Sequence, residues 1–234
     1  MSVIAQAGAK GRQLHKFGGS SLADAKCYLR VAGIMKEYSQ AGDMMVVSAA
    51  GSTTNQLISW LKLSQSDRLA AHQVQQSLRR YHTELIGGLL EPAAADTLIA
   101  AFIHDLERLA GLLDGGVSEA VYAEVVGHGE VWSARLMAAV LNQLGMEAAW
   151  LDARAFLRAE RAAQPQVDEG LSYPLLQQLM AQHPNKRLVV TGFISRNSAG
   201  ETVLLGRNGS DYSATQIGAL AGASRVTIWS DVAG

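Results

Sequence analysis

The chain contains 234 residues, with 48% hydrophobic and 18% charged side chains and a formal net charge of −1, a length that typically buries roughly 70–75% of the unfolded surface in one large α/β domain. The near-neutral charge, without a basic stripe, argues against nucleic acid as a partner, and no apolar run approaches the roughly 20 residues of a membrane helix. The single cysteine, Cys27, excludes an internal disulfide, and with no signal-peptide pattern this predicts a cytoplasmic protein.

Residues 1–12 are interpreted as a flexible extension before the first strand. Beyond them, short apolar runs alternate with longer helical patterns, which is typical of a mostly parallel sheet covered by helices on both faces. The sequence therefore predicts a three-layer α/β/α sandwich. The predicted strands are 13–17, 44–48, 148–151, 187–192 and 225–230. The predicted helices are 23–38, 54–63, 68–87, 93–113, 131–144, 173–182 and 211–221.

Residues 64–126 are rich in leucine, alanine and glutamine and contain no convincing strand. We interpret them as a helical insertion on one side of the sheet, within one domain that spans 13–234. The pairs Gly87-Gly88 and Gly115-Gly116 suit helix ends. Further along, the stretch 193–205 has polar residues between apolar flanks, which is typical of a hairpin.

The segment Lys16-Phe17-Gly18-Gly19-Ser20-Ser21 lies at the end of the first predicted strand. Two adjacent glycines let the backbone turn sharply and come close to a ligand. Amides at the start of the next helix can receive a phosphate, and Lys16 adds a cation suited to a transferring phosphoryl group. The segment therefore predicts a phosphate-binding turn.

Ligands of open α/β sheets bind beyond the carboxyl ends of the strands, so the loop after the second strand is the next candidate. Residues 48–55 are crowded with small and hydroxyl side chains, among them Ser48 and Thr54. A helix N-terminus capped by Thr53 or Thr54 explains the same residues without a ligand. Both interpretations stay open for this loop.

The segment Gly127-His128-Gly129-Glu130 is interpreted as a loop that leads into a helix from Val131. A carboxylate in the first turn of a helix is favoured by the helix dipole without any ligand, so Glu130 alone is a weak candidate. His128 between two glycines is weaker still. The six histidines show no metal-ligand spacing, and we expect no structural metal.

The segment Gly206-Arg207-Asn208-Gly209-Ser210-Asp211 places glycines, an arginine, a hydroxyl and a carboxylate ahead of a helix. Ser210 and Asp211 can simply cap that helix, but capping leaves the glycines and Arg207 unexplained. The planar guanidinium of Arg207 matches a carboxylate bidentately, which favours a binding site. Neither a Walker-type nucleotide motif nor a dinucleotide-binding glycine pattern occurs in the chain.

Taken together and in this order, these loops resemble the catalytic domain of aspartokinases, within the amino acid kinase superfamily. The run 206–214 is highly specific for aspartokinases, whereas the segment 16–21 is typical of the superfamily. The Arg-Asn-Gly form at 207–209 resembles bifunctional aspartokinase–homoserine dehydrogenases, most of all the methionine-regulated kind of enteric bacteria.

The resemblance implies transfer of the γ-phosphate of Mg-ATP to the β-carboxylate of L-aspartate, the first step toward methionine, threonine and lysine. By matching positions it implies that Lys16 is the catalytic cation and that Asp211 either orients Lys16 or helps with the metal-bound phosphates. The implied substrate-binding residues are Ser48, Thr54, Glu130, Arg207 and Ser210. The implied nucleotide-binding residues are Gly18, Gly19, Ser20, Ser230 and Asp231. Mg²⁺ is expected to bind mainly through the nucleotide phosphates.

The family's chain continues past Asp231 with segments that bind adenine and ribose, and then with regulatory domains. The alternative for the isolated chain is therefore a fragment that keeps the aspartate and phosphate half-site without a complete ATP site. A homo-oligomer is also expected. A further alternative keeps the superfamily and changes the acceptor to glutamate, carbamate or a nucleoside monophosphate.

Overall fold

The computed structural model describes residues 11–230. Five strands form one parallel sheet in the order β3-β4-β2-β1-β7. The remaining two strands pair antiparallel as a hairpin, which confirms the prediction for 193–205. The strands are β1 Gln13–Phe17, β2 Met44–Val47, β3 Ala148–Leu151, β4 Arg187–Thr191, β5 Ile194–Arg196, β6 Thr202–Leu204 and β7 Arg225–Trp229.

The helices of the described chain overlap those that the sequence predicts, but the fifth starts at Glu119 and the sixth at Glu169, both earlier than predicted. Gly87-Gly88 and Gly115-Gly116 lie at the ends of the third and fourth helices, as expected for glycine at helix ends. None of the described helices is long and apolar enough to cross a membrane. The helices are α1 Ala25–Tyr38, α2 Thr53–Ser64, α3 Arg68–Gly87, α4 Pro92–Asp114, α5 Glu119–Gln143, α6 Glu169–Gln182 and α7 Gly209–Leu220.

The sheet separates two hydrophobic cores because side chains of successive strand residues point to opposite faces. Phe17, Met45 and Val47 pack with α1 to α5 in one core, whereas Leu14 and Val46 pack with α6 and α7 in the other. Each fully buried side chain of this size stabilises the fold by about 1.5–3 kcal/mol. The predicted three-layer α/β/α sandwich around a parallel sheet is confirmed.

The predicted loop at Gly127-His128-Gly129-Glu130 is wrong, because these residues lie inside α5. A Cβ on Gly127 would lie 2.6 Å from Cγ2 of Ile194, and one on Gly129 would lie 2.7 Å from Cβ of Ala49. The two glycines therefore allow α5 to pack closely against its neighbours. This packing outweighs the weak helix propensity of glycine, which costs about 1 kcal/mol per residue.

The register of the sheet brings the carboxyl ends of its strands to one edge. Lys16 pairs with Val46 of β2 and with Ile228 of β7, and Val46 pairs with Val190 of β4. The residues that follow these strands therefore lie side by side. This is the edge at which ligands of parallel α/β sheets bind.

Glu124 of α5 ties that helix to the hairpin and to the turn after β3. Its carboxylate accepts hydrogen bonds from the Thr202 hydroxyl at 2.6 Å and from the Arg154 guanidinium at 2.7 Å. Burial alone would raise the pKa of Glu124, but Arg154 and Thr202 outweigh burial and lower the pKa to about 2. Because this value lies below the ordinary 4.5, the carboxylate stabilises the fold above about pH 4.5. That contribution is lost as the pH falls toward 2.

Replacing Glu124 with glutamine is expected to lower the free energy of unfolding at pH 7 by about 2–3 kcal/mol, since one pKa unit corresponds to about 1.4 kcal/mol and the site is partly exposed. The loss should shrink to less than half at pH 3. Urea unfolding of both proteins at the two pH values measures it. Glu107→Gln, at an exposed position of α4, is the control. An equal loss at both pH values would contradict the assignment.

Candidate active site

The turn after β1 brings its backbone against the loop after β2. The Gly19 carbonyl accepts hydrogen bonds from the amides of Leu22 at 3.1 Å and Gly51 at 2.9 Å. A Cβ on Gly19 would lie 2.7 Å from the Ala49 carbonyl oxygen, closer than real Cβ atoms come. Glycine is therefore required at this position by the close approach of the two loops.

Lys16 lies near the end of β1, and only 11% of its side chain is exposed. Its ammonium forms an ion pair with the carboxylate of Asp211, in the first turn of α7. A Cβ on Gly18 would lie 3.7 Å from the Lys16 Nζ atom, so the ammonium lies beside the glycine turn. The structure thus brings the predicted catalytic cation, its carboxylate partner and the predicted phosphate turn to one place.

Glu130 lies in the middle of α5 and is 3% exposed. Burial raises the pKa of Glu130 to about 8, although hydrogen bonds from the backbone amides of Ala49 and of Glu130 itself oppose this rise. Its Oε2 atom has no hydrogen-bond partner within residues 11–230. A buried carboxyl oxygen without a partner is costly, so the Oε2 atom in a cavity wall points to a ligand that supplies the missing hydrogen bond.

Three hydroxyl side chains face the same edge of the sheet: Ser48 after β2, Thr54 in the first turn of α2, and Ser210 in the first turn of α7. The expectation that Thr53 or Thr54 caps α2 is wrong, because the N-cap residue is Ser52. The Thr53 hydroxyl instead donates to the Ala50 carbonyl at 2.6 Å. Capping therefore does not explain the hydroxyl of Thr54.

These groups line one cavity of about 300 Å³. Its wall combines the Lys16 ammonium, the buried Glu130 carboxyl group with its unpartnered Oε2 atom, three hydroxyls and a backbone turn of glycines. Such a wall suits a small ligand that carries both an ammonium and a carboxylate, next to an anionic phosphate. The lining residues are Lys16, Gly19, Ser48, Ala49, Gly51, Thr54, Glu130, Phe193, Gly206, Asn208, Gly209, Ser210 and Asp211.

Arg207 does not line this cavity. Its side chain is exposed and lines a neighbouring cavity of about 380 Å³, together with Gln166 and Tyr212. Gly206 lines both cavities. The residues on either side of Arg207 have positive φ, 78° at Gly206 and 58° at Asn208. The structure therefore places the predicted carboxylate-binding arginine beside the cavity rather than in it.

The other predicted nucleotide-binding residues follow strands at the same edge of the sheet or lie outside the described residues. Ser20 is exposed and begins a short 3₁₀ turn directly after the glycine pair. Ser230 is exposed and follows β7, the strand that pairs with β1. Asp231 lies outside the described residues. Their roles stay predictions.

Gly192 and Phe193, directly after β4, lie at this site and were not predicted from the sequence. A Cβ on Gly192 would lie 2.9 Å from the Ser210 Oγ atom and 3.1 Å from the Val47 carbonyl oxygen. Phe193 lines the cavity and has a φ of 66°. Their position directly after a central strand is the signal by which sequence analysis could have found them.

The described residues contain no group of three or more His, Cys, Asp or Glu side chains that can hold a metal ion. His128 is buried within α5, with Nε2 3.0 Å from an Arg108 nitrogen and Nδ1 3.1 Å from the Glu124 carbonyl oxygen. Burial lowers the pKa of His128. This histidine therefore belongs to a polar cluster with Arg108 and Glu124 that connects α4 to α5.

Known proteins share both the sequence and the fold. The chain is 85% identical over its whole length to bifunctional aspartokinase/homoserine dehydrogenase 2 of Escherichia coli strain K12, of which it spans 29%. It is 34% identical to the aspartokinase of Chlamydia pneumoniae, covering 94% of this chain and 48% of that protein. The crystal structure of E. coli aspartokinase III in complex with aspartate and ADP superposes with a TM-score of 0.87 at 27% identity, covering 95% of this chain and 50% of that one.

The profile of the amino acid kinase family matches residues 11–234. This match covers nearly the whole chain, and the relatives above confirm the resemblance to aspartokinases that the motifs indicated. They also show that the chain spans less than a third of its bifunctional relative. The chain therefore belongs to the amino acid kinase family.

Proposed function

We propose that the cavity phosphorylates the β-carboxylate of L-aspartate with Mg-ATP, giving 4-phospho-L-aspartate and ADP. One observation carries the proposal: the buried Glu130 carboxyl group, whose Oε2 atom has no partner within the described residues, and the Lys16 ammonium line the same small cavity. The E. coli structure that this fold matches is described as a complex with aspartate and ADP, which supports the same pair of ligands.

The acceptor needs no general base, because a carboxylate is already ionised at neutral pH. Catalysis then consists of holding the two reactants in line and neutralising charge on the transferring phosphoryl oxygens. Lys16 supplies that positive charge from the end of β1, and Asp211 holds the ammonium in place. The residues of the cavity are of the type that this reaction needs.

Glu130 binds the α-ammonium of aspartate in this proposal, and the hydroxyls of Ser48, Thr54 and Ser210 bind its polar groups. Before aspartate binds, the carboxyl group of Glu130 is protonated at neutral pH, because burial raises its pKa to about 8. An arriving ammonium favours the ionised form, so the proton leaves as the substrate binds. Arg207 reaches the α-carboxylate only after a movement from the neighbouring cavity.

The nucleotide phosphates fit the turn after β1, where Gly19 lies too close to Ala49 for any side chain and Lys16 lies beside Gly18. We assign Gly18, Gly19 and Ser20 to these phosphates, and Ser230 and Asp231 to the start of the nucleoside site. Mg²⁺ bound to ATP would shield the phosphate charge. We assign Mg²⁺ mainly to the nucleotide phosphates, because proteins usually bind this ion through one or two carboxylates together with the substrate phosphates.

The acceptor distinguishes this proposal from related ones. Glutamate has one more methylene than aspartate, whereas carbamate and a nucleoside monophosphate lack the paired α-ammonium and α-carboxylate. The buried carboxyl group of Glu130 in this cavity favours an acceptor that carries an ammonium over carbamate and a nucleoside monophosphate. We expect ADP release with aspartate and a rate at least tenfold lower with glutamate, since one extra methylene changes discrimination by 10–200-fold.

The test is ADP release by the intact protein that contains this chain, with each of the four acceptors at equal concentration. The 234-residue chain is assayed in parallel, because it spans only 29% of its bifunctional relative. Activity of the longer protein, together with no activity of the 234-residue chain, would support the interpretation of this chain as a fragment without a complete ATP site. Preference for any acceptor other than aspartate would overturn the proposal.

A further inference from the structure

The turn that follows β4 holds Phe193, a bulky residue, in a strained left-handed backbone conformation. The Ile194 amide donates to the Gly192 carbonyl across one residue, at 2.7 Å, and Phe193 between them has a φ of 66°. This is a γ-turn with a left-handed central residue, the rare form of the turn. Bulky residues in that region persist only when the surrounding structure imposes the conformation, and they cluster at functional sites.

Hydrogen bonds connect this turn to the first turn of α7. The Phe193 amide donates to the Ser213 Oγ atom at 3.1 Å, and the Ser213 hydroxyl donates to the Ser210 carbonyl at 3.0 Å. On the other side, the Leu205 amide donates to the Phe193 carbonyl at 2.8 Å. The backbone of Phe193 is therefore held between the hairpin and the helix that carries Ser210 and Asp211.

The ring of Phe193 reaches the same helix. A Cβ on Gly209 would lie 2.5 Å from the Phe193 Cδ2 atom, so the ring lies directly on the first residue of α7. The ring also packs against the hydrophobic residues of both cores. Moving the ring or filling the space at Gly209 must therefore displace the start of α7.

We propose that Phe193 is a positioning residue, whose strained turn and ring fix the first turn of α7 so that Asp211 holds the Lys16 ammonium at the cavity. The inference rests on the proposed function. Glu130 lies on α5, which this contact does not hold. Of the groups assigned to aspartate, only the Ser210 hydroxyl lies in the first turn of α7 with Asp211. Displacing α7 should therefore lower the rate of phosphoryl transfer more than it weakens aspartate binding.

The test uses Phe193→Gly, Gly209→Ala and the double variant in the intact protein. Phe193→Gly removes the ring, and glycine adopts positive φ without strain. Each single variant is expected to lower kcat about tenfold and to leave the aspartate KM within about threefold of wild type, because Glu130, Ser48 and Thr54 lie outside α7 and still bind aspartate. Equal damage to kcat and KM with a large fall in melting temperature would indicate a merely structural role.

The double variant tests the contact itself. Gly209→Ala should lower kcat much less once the ring is absent, because the Leu205 Cβ atom, at 3.3 Å, is then the remaining close neighbour of the new methyl group. The two effects on kcat should therefore be clearly less than additive. Gly111→Ala in α4 is the control, because no atom lies within 4 Å of a Cβ there. Equal effects of Gly209→Ala with and without the ring would overturn the proposal.

Hydrogen exchange gives a result that does not depend on the reaction. The amides of Asp211 and Tyr212 donate to the Asn208 carbonyl, each at 3.0 Å. In Phe193→Gly these amides should exchange at least tenfold faster, with exchange in α3 unchanged. Unchanged exchange overturns the inference even if wild type proves inactive with aspartate. Wild-type inactivity with faster exchange in the variant overturns only the proposed function.

Discussion

Replacing Lys16 with methionine is expected to lower kcat for aspartate phosphorylation by about 10²–10³-fold, the usual effect of removing one preorganised donor to transition-state charge. The ammonium lies near the end of β1 beside the glycine turn, to which the proposed function assigns the nucleotide phosphates. The aspartate KM should change little, because Glu130 and the hydroxyl residues remain. Steady-state ADP release with varied aspartate measures both constants.

Methionine keeps the length of the side chain, and the released partner Asp211 has 42% of its side chain exposed to solvent. The variant should therefore remain folded, which a melting curve checks. Lys62→Met on the exposed face of α2 is the control. Asp211→Asn should lower kcat less than Lys16→Met does, because it leaves the ammonium present and only releases it. Turnover of Lys16→Met within threefold of wild type would remove Lys16 from the mechanism.

Replacing Glu130 with glutamine is expected to raise the aspartate KM more than it lowers kcat, and to abolish a pH dependence. In wild type, the carboxyl group must lose its proton to bind an ammonium, and its pKa is raised to about 8 by burial. Apparent affinity should therefore fall about tenfold for each pH unit below 8, since one pKa unit corresponds to about 1.4 kcal/mol. Glutamine has no proton to lose, so its profile should be flat from pH 6 to 8.

Titration calorimetry at pH 7 in buffers of different ionisation enthalpy measures this proton directly. Wild type should release close to one proton on binding aspartate, and Glu130→Gln none. Glu107→Gln on the surface of α4 is the control and should behave as wild type. The same proton release in Glu130→Gln and wild type would show that another group titrates.

Glu130→Gln is expected to weaken aspartate binding, but at alkaline pH it should stabilise the ligand-free protein. The folded chain binds the Glu130 proton more tightly than the unfolded chain, because the pKa is raised from 4.5 to about 8. The stabilising effect of this proton is complete below pH 4.5 and is lost as the pH rises through 8. At pH 9 the Glu130→Gln variant should therefore melt at a higher temperature than ligand-free wild type. A side chain that serves ligand binding thus lowers the stability of the ligand-free protein, as is common at functional sites.

The strands and the chemistry of their loops were predictable because both leave a local pattern. A parallel strand buried on both faces appears as a short apolar run, as in Met44–Val47. The residues after such a run lie at the ligand-binding edge, which pointed to Ser48 and to the glycine turn after Lys16. These features need no knowledge of distant contacts.

The errors concern features that distant contacts decide. Gly127 and Gly129 resemble a loop in the sequence, yet they are the positions where α5 touches Ile194 and Ala49. The positive φ of Phe193 has no signal in the sequence, because hydrogen bonds from other elements impose it. The protonation of Glu130 likewise depends on burial that only the packed helix provides.

Arg207 shows where the sequence pattern and the structure divide. The motif predicts a carboxylate-binding arginine, and the structure places it in the cavity next to the candidate site. The residues on either side of it have positive φ, a conformation that glycine and asparagine permit but do not dictate. Arg207→Lys should raise the aspartate KM about tenfold or more, because lysine lacks the bidentate fork. A KM equal to wild type would leave Arg207 outside the site.

The most direct test of the proposed site is to trap its product. Acyl phosphates react with hydroxylamine, so the intact protein with Mg-ATP and aspartate should give one aspartyl hydroxamate for each ADP released. The rate of both products should fall together by about 10²–10³-fold in Lys16→Met, as expected for a lost donor to transition-state charge. ADP release without hydroxamate, or equal rates of hydroxamate formation in the two proteins, would contradict the assignment of this cavity to aspartate phosphorylation.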